Sequence, residues 1–94
     1  MDNENQSIVK SSDLYECAFY LCLGCVVREI QIITENKKVL CIMFMTGENI
    51  LNFQQIYFRS EAIVNLFDFR RSYGRLVNLI ALAKKRQKDN GGAL

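Results

Sequence analysis

The sequence predicts one small α+β domain, with elements in the order α-β-β-α-β-α and an antiparallel hairpin sheet packed by helices. Three observations predict it. Apolar residues recur at helical spacing near both ends of the chain, they alternate with period two in between, and a four-residue polar turn divides the alternating stretches as a hairpin requires. The 94 residues are enough for one domain and show no internal repeat or linker. Residues 1–10 read as a flexible N-terminal arm, 11–88 as the domain and 89–94 as a disordered tail.

Each element has its own signal. In the arm, the apolar pair Ile8-Val9 either joins a sheet edge or frays. Ser12 or Asp13 caps a first helix over 14–23, and Asp13 with Glu16 has the spacing of a capping box. Leu14, Tyr15, Ala18, Phe19, Leu21, Cys22 and Leu23 surround that helix with apolar groups, and Gly24 stands where a left-handed terminating residue is wanted. From Cys25 the period becomes two, with Val26, Ile30 and Ile32 on one side and Glu29 and Gln31 on the other. Glu35-Asn36-Lys37-Lys38 makes the turn, Asn36 being the residue best suited to positive φ.

The returning strand, Val39 to Met45, is apolar on both faces, as in a strand that is central or covered twice. Residues 46–60 fit a helix of about three turns through Ile50, Phe53 and Tyr57, with a strand as the competing reading. Glu61 to Val64 reads as a brief extended segment, the third strand. Asn65 caps the final helix, 66 to about 88, whose core stripe is Phe69, Tyr73, Leu76, Val77, Ile80 and Ala83.

Composition narrows the chemistry. There is no histidine and no proline, so the commonest general base and metal ligand is missing and no enzymatic activity is expected. The acidic start lacks the basic and apolar regions of a secretory signal, and Arg28 and Glu29 close the longest apolar run before it reaches membrane-spanning length. A cytoplasmic protein with no membrane association is the expectation, and its four cysteines are then reduced thiols. Cys17-x4-Cys22-x2-Cys25, with Cys41 beyond, has the spacing of an iron–sulfur ligand set. An apolar helix fills the intervals where a cluster needs a loop, so these residues read as core thiols, and no cofactor or metal is expected. The scattered acids Glu29, Glu35, Glu48 and Glu61 read as surface.

Charge is the strongest functional signal. From Phe69 to Lys88 there are seven basic residues and no acid, whereas the chain through Asp68 holds nine acids against five bases. A formal total of +2 hides a polarised molecule. Arg70, Arg71, Arg75, Lys84, Lys85, Arg86 and Lys88 are therefore the candidate binding residues for nucleic acid or an acidic protein surface. Lysines near the helix C-terminus also satisfy the helix dipole, but arginines in its first turns do not. Tyr20, Tyr57 and Phe58 are candidate stacking platforms, although aromatics at these spacings more often belong to the core. Half of the residues are apolar, too many for one small core, so a homodimer is expected.

Leu23-Gly24 closing a helix, Val39 to Phe44 on a second strand, Tyr57 near the end of a short helix, and Ala62-Ile63-Val64 leading to Phe69, Tyr73 and Leu76 form a packing pattern. It resembles a small uncharacterised domain family of bacteria, archaea and phages, over residues 12–83. The resemblance implies a phage or mobile-element context and an accessory role without catalysis. Together these readings give a non-enzymatic binding module that engages nucleic acid or a nucleoprotein through a basic C-terminal helix. The alternative is a protein inhibitor or regulator of a host defence complex.

Overall fold

The computed structural model describes residues 7–92, and of residues 88–92 the backbone alone. The described chain runs β1 (Ile8–Ser11), α1 (Leu14–Cys22), β2 (Val26–Glu35), β3 (Lys38–Thr46), α2 (Ile50–Phe58) and α3 (Leu66–Gly92). The α+β class is as predicted, with two differences in order. The third strand is β1, and 61–64 forms no strand. Val9 supplies the reason for the first, because its side chain is buried and faces Met45 across the sheet. Ser60, at φ 61°, turns the chain away after α2, and Ala62 and Val64 then line a concavity with Tyr57 and Phe69 instead of reaching a strand edge. The arm expected at 1–10 thus yields its last residues to the sheet, while residues 1–6 lie outside the described residues. At the other end α3 passes Lys88 and continues to Gly92.

The sheet is antiparallel in the order β1-β3-β2. The apolar strand β3 is central, as its composition predicts, but only one of its faces is covered. Met43 and Met45 are fully buried while Leu40, on the other face, is 47% exposed. The hairpin turns through positive φ at both Asn36 and Lys37, the geometry that matches strand twist. In β2 the strict alternation fails, because a bulge between Val27 and Glu29 inserts Arg28. Val27 consequently takes the inward place predicted for Val26, which is 55% exposed. Residues 46–60 do form a helix, over Ile50–Phe58; Asn49 precedes it at φ 66° with no side-chain cap.

Helix α1 is the centre of the packing. Cys17, Phe19 and Tyr20 join Val9, Cys25, Met43, Met45, Ile50, Leu76 and Ile80 in one buried cluster. Its capping box is only half made. Asp13 Oδ1 accepts from the Tyr15 and Glu16 amides at 2.9 and 3.3 Å, but Glu16 does not reach back to the Asp13 amide, which donates to Ser11 Oγ instead. Glu16 is buried and accepts from Ser11 Oγ and from the Tyr20 hydroxyl, each at 2.6 Å. Tyr57 OH donates to the remaining oxygen of Asp13 at 2.9 Å. One polar knot therefore joins β1, α1 and α2.

Two glycines test this packing in opposite directions. A Cβ at Gly47 would stand 2.7 Å from Cys25 Sγ and 2.9 Å from its Cα, whereas one at Gly74 on α3 meets nothing within 4 Å. Gly47→Ala is expected to destabilise by about 1–3 kcal/mol through overpacking against backbone. Gly74→Ala is expected to stabilise by up to about 1 kcal/mol through helix propensity. Chemical denaturation of both variants checks the two signs.

Candidate nucleic-acid interface

Helix α3 begins as predicted. Asn65 Oδ1 accepts from the amides of Phe67 and Asp68 at 3.0 and 3.1 Å. It docks through Phe69, Ser72, Tyr73, Leu76, Ile80 and Ala83, which are buried or half-buried. Val77, predicted for this stripe, is 41% exposed, because one residue from Leu76 is a rotation of about 100° around the axis. Tyr15 of α1 stacks on Tyr73 and Phe69, with ring centroids 5.5 and 6.1 Å apart. At the far end Gln87 Nε2 donates to the Ile32 carbonyl at 3.2 Å. These contacts fix the rotation of α3, and with it the direction of each described basic side chain.

That rotation divides the predicted binding residues. Arg70, Arg71, Arg75, Lys84, Lys85 and Arg86 are all exposed, but helical geometry sends them to different sides of the stripe. Arg71, Arg75 and Arg86 share one flank with Leu79 and Leu82. Arg70 and Lys84 lie on the opposite flank beside Val77, and Lys85 faces away from the core. Lys88 belongs to the helix, with its side chain outside the described residues. The seven positions are thus not one surface.

Other elements pack beside the first flank. Leu21, Cys22, Asp68, Arg71, Ser72 and Arg75 line a concavity of about 230 Å³. Further along α3, a concavity of about 370 Å³ is lined by Val27, Arg28, Glu29 and Ile30 of β2 with Leu79, Leu82, Ala83 and Arg86. Arg28 therefore stands with Arg86 although 58 positions separate them in the sequence. The bulge that inserts it changes its aim relative to a regular strand. Sequence reading missed Arg28; a lone arginine in an apolar stretch was the available signal, but the bulge was not legible.

Among the described residues the single ion pair is Arg71 with Asp68, at 2.6 Å between side chains 71% and 57% exposed. A pair so open to water contributes no more than about 1 kcal/mol, so it exchanges readily for another anion. Arg28, Arg75 and Arg86 form no ion pair among the described residues. Arg75 and Arg86 are about 16 Å apart along the helix axis, close to five nucleotide steps on one strand of a duplex. Of the candidate stacking aromatics, Tyr20 is fully buried, Tyr57 is half-buried and Phe58 is 66% exposed.

The thiols occupy other ground. Cys17 and Cys25 are buried, Cys22 and Cys41 half-buried, and all four are free. Among the described residues no three cysteine, aspartate, glutamate or histidine side chains are grouped to hold a metal ion. Burial pushes the Cys17 thiol up to about 12, opposed by the nearby Ser11 hydroxyl and reinforced by the charges of Glu16 and Asp13. Burial likewise raises Cys25. A thiol held protonated in this way is a poor nucleophile at neutral pH.

Those shifts set a pH dependence. Burial, followed by the hydrogen bond to Asp13, raises Tyr57 to about 12, and burial raises Tyr20 too. Each of these groups ionises more readily in the unfolded chain, so its contribution to stability is complete below its unfolded value and is lost as pH rises toward the folded one. The denaturation midpoint is expected to fall progressively above about pH 9. Cys17→Ala is expected to lower stability at neutral pH and to flatten that alkaline slope, as read from urea midpoints across the range.

No protein-family model, curated protein or solved structure matches the chain at a significant level, so the resemblance noted above stands on the packing pattern of residues 12–83 alone.

Proposed function

We propose that this protein is a non-enzymatic binding module that engages the phosphate backbone of a nucleic acid along the α3 flank. The observation that carries the reading is the convergence of Arg28, from β2, with Arg71, Arg75 and Arg86, from α3, along two successive concavities. Guanidinium groups suit phosphates because their planar fork offers paired donors, and groups held on two packed elements keep their spacing. The concavities between them are shallow and partly apolar, which favours backbone contact over the reading of base edges. The Arg71–Asp68 pair tempers affinity without blocking it.

A protein partner is the second reading, a regulator or inhibitor of a host complex in a phage or mobile-element setting. It is favoured by an apolar concavity of about 240 Å³ lined by Tyr15, Phe19, Tyr57, Ala62, Val64, Leu66 and Phe69. Ile63, Phe67 and Phe58 are 89%, 68% and 66% exposed nearby in the chain. Exposed aromatic groups around a concavity are the material of protein-interface hot spots.

Titration of short single- and double-stranded DNA and RNA at two or more salt concentrations tests the first reading. Arg75→Ala and Arg86→Ala are each expected to weaken binding several-fold and to lower the salt slope by about one contact's worth. Arg70→Ala and Lys84→Ala, on the other flank, are expected to do less. Absence of binding to every nucleic acid at low salt, together with stoichiometric capture of one protein from a nuclease-treated lysate, would favour the second reading.

A further inference from the structure

The helices cover one face of the sheet and leave the other open. On that open face Ile8, Val26, Ile33 and Leu40 are 46%, 55%, 39% and 47% exposed, with Ile42 and Phe44 half-buried between them. A sheet face this apolar is unusual on a small monomer. Its charges are arranged as well. Strand register puts Lys10, Phe44 and Glu29 in one row across β1, β3 and β2. The side chains follow the register: Lys10 Nζ lies 5.6 Å from the centre of the Phe44 ring, and Gln31 Nε2 donates to Glu29 Oε2 at 3.2 Å on the same face. A cation and an anion thus flank an aromatic ring on the central strand.

We propose that this open face is a homodimer interface, sheet against sheet, in which Lys10 of each copy pairs with Glu29 of the other around the two central Phe44 rings. Symmetry selects the arrangement. A two-fold axis running along β3, between the facing sheets, lays β1 of one copy over β2 of the other and superimposes the row on its own reverse. Lys10 then meets Glu29 twice, once on each side of the axis. An axis perpendicular to the strands would set β1 over β1 and oppose like charges. Facing sheets lie about 10 Å apart, within combined reach of a lysine and a glutamate. The two Lys38 residues lie about 20 Å along β3 from the axis centre. There the usual angle of about 30° between packed sheets has already moved the strands apart by roughly 10 Å.

Three strands about 4.8 Å apart, of four, ten and nine residues, offer a footprint of at most roughly 14 by 30 Å. That is small for a dimer, so the dissociation constant belongs in the micromolar range or weaker. The occupant is a second copy because the charges complement their own mirror row. The inference is independent of the nucleic-acid reading, since association is measured without nucleic acid and Lys10→Glu and Phe44→Glu leave the α3 flank unaltered; Glu29 alone also lines the α3 concavity.

Sedimentation equilibrium over a concentration series, extended to a few hundred micromolar, tests it on the full chain. The wild type is expected to follow a monomer–dimer equilibrium. Lys10→Glu and Glu29→Lys are each expected to weaken self-association by about tenfold or more, because every pair becomes like-charged. An equimolar mixture of the two variants is expected to recover dimers, since both pairs in the heterodimer are again of opposite sign. Both positions are exposed, so the variants should keep the wild-type circular dichroism and melting. Phe44→Glu is expected to abolish association without a change in secondary structure. A wild type that stays monomeric, a mixture no tighter than either variant alone, or a dimer indifferent to all these changes would each overturn the proposal, the last pointing to the aromatic concavity as the interface.

Discussion

The buried carboxyl of Glu16 is the constraint around which the elements are assembled. An acidic group removed from water is costly unless its oxygens are satisfied. Here each oxygen accepts from a hydroxyl, Ser11 on one side and Tyr20 on the other, at 2.6 Å. Ser11 in turn accepts from the Asp13 amide, and Asp13 accepts from Tyr57. The network spans β1, α1 and α2, so the first strand is fixed to the sheet edge by polar bonds as well as by Val9. Loss of a single hydroxyl would leave a buried oxygen without its donor, an asymmetry that makes such networks specific as well as stabilising.

From this centre the position of α3 follows. Tyr15 projects from the same helix that carries Glu16, and its ring receives Phe69 and Tyr73. Gln87 fastens the other end of α3 to β2. With both ends held, the rotation of the helix is set by the stripe through Leu76 and Ile80, and Arg71, Arg75 and Arg86 are directed to the flank shared with β2. The polarised charge of the chain becomes a surface only through this docking.

A chain with half its residues apolar and three strands in its sheet cannot hide its apolar surface from both sides. The helices occupy one face, leaving Ile8, Val26, Ile33 and Leu40 on the other. A further aromatic cluster remains open where α1, α2 and the start of α3 meet. The arginine flank, the open sheet face and this cluster leave one charged and two apolar surfaces exposed, with Glu29 at the border of the first two.

Local physical chemistry made much of this legible in advance. Asp13 and Asn65 cap their helices because a short oxygen-bearing side chain meets free amides there, and Gly24 takes φ 91° because no side chain opposes it. Residues 50–58 are helical on the strength of their spacing. Other features required the folded chain. A bulge is a relation between two strands, so Arg28 was unreadable as a partner of Arg86, and the four residues of β1 acquire their identity only by pairing with β3. Glu16 read as half of a capping box because its spacing was right, yet burial beside two hydroxyls offered it better partners. The sequence by itself determined the elements and the polarity of charge, since both depend on neighbours along the chain. Only the tertiary structure decided which charges share a surface and which apolar face stays open, since both depend on how distant segments pack.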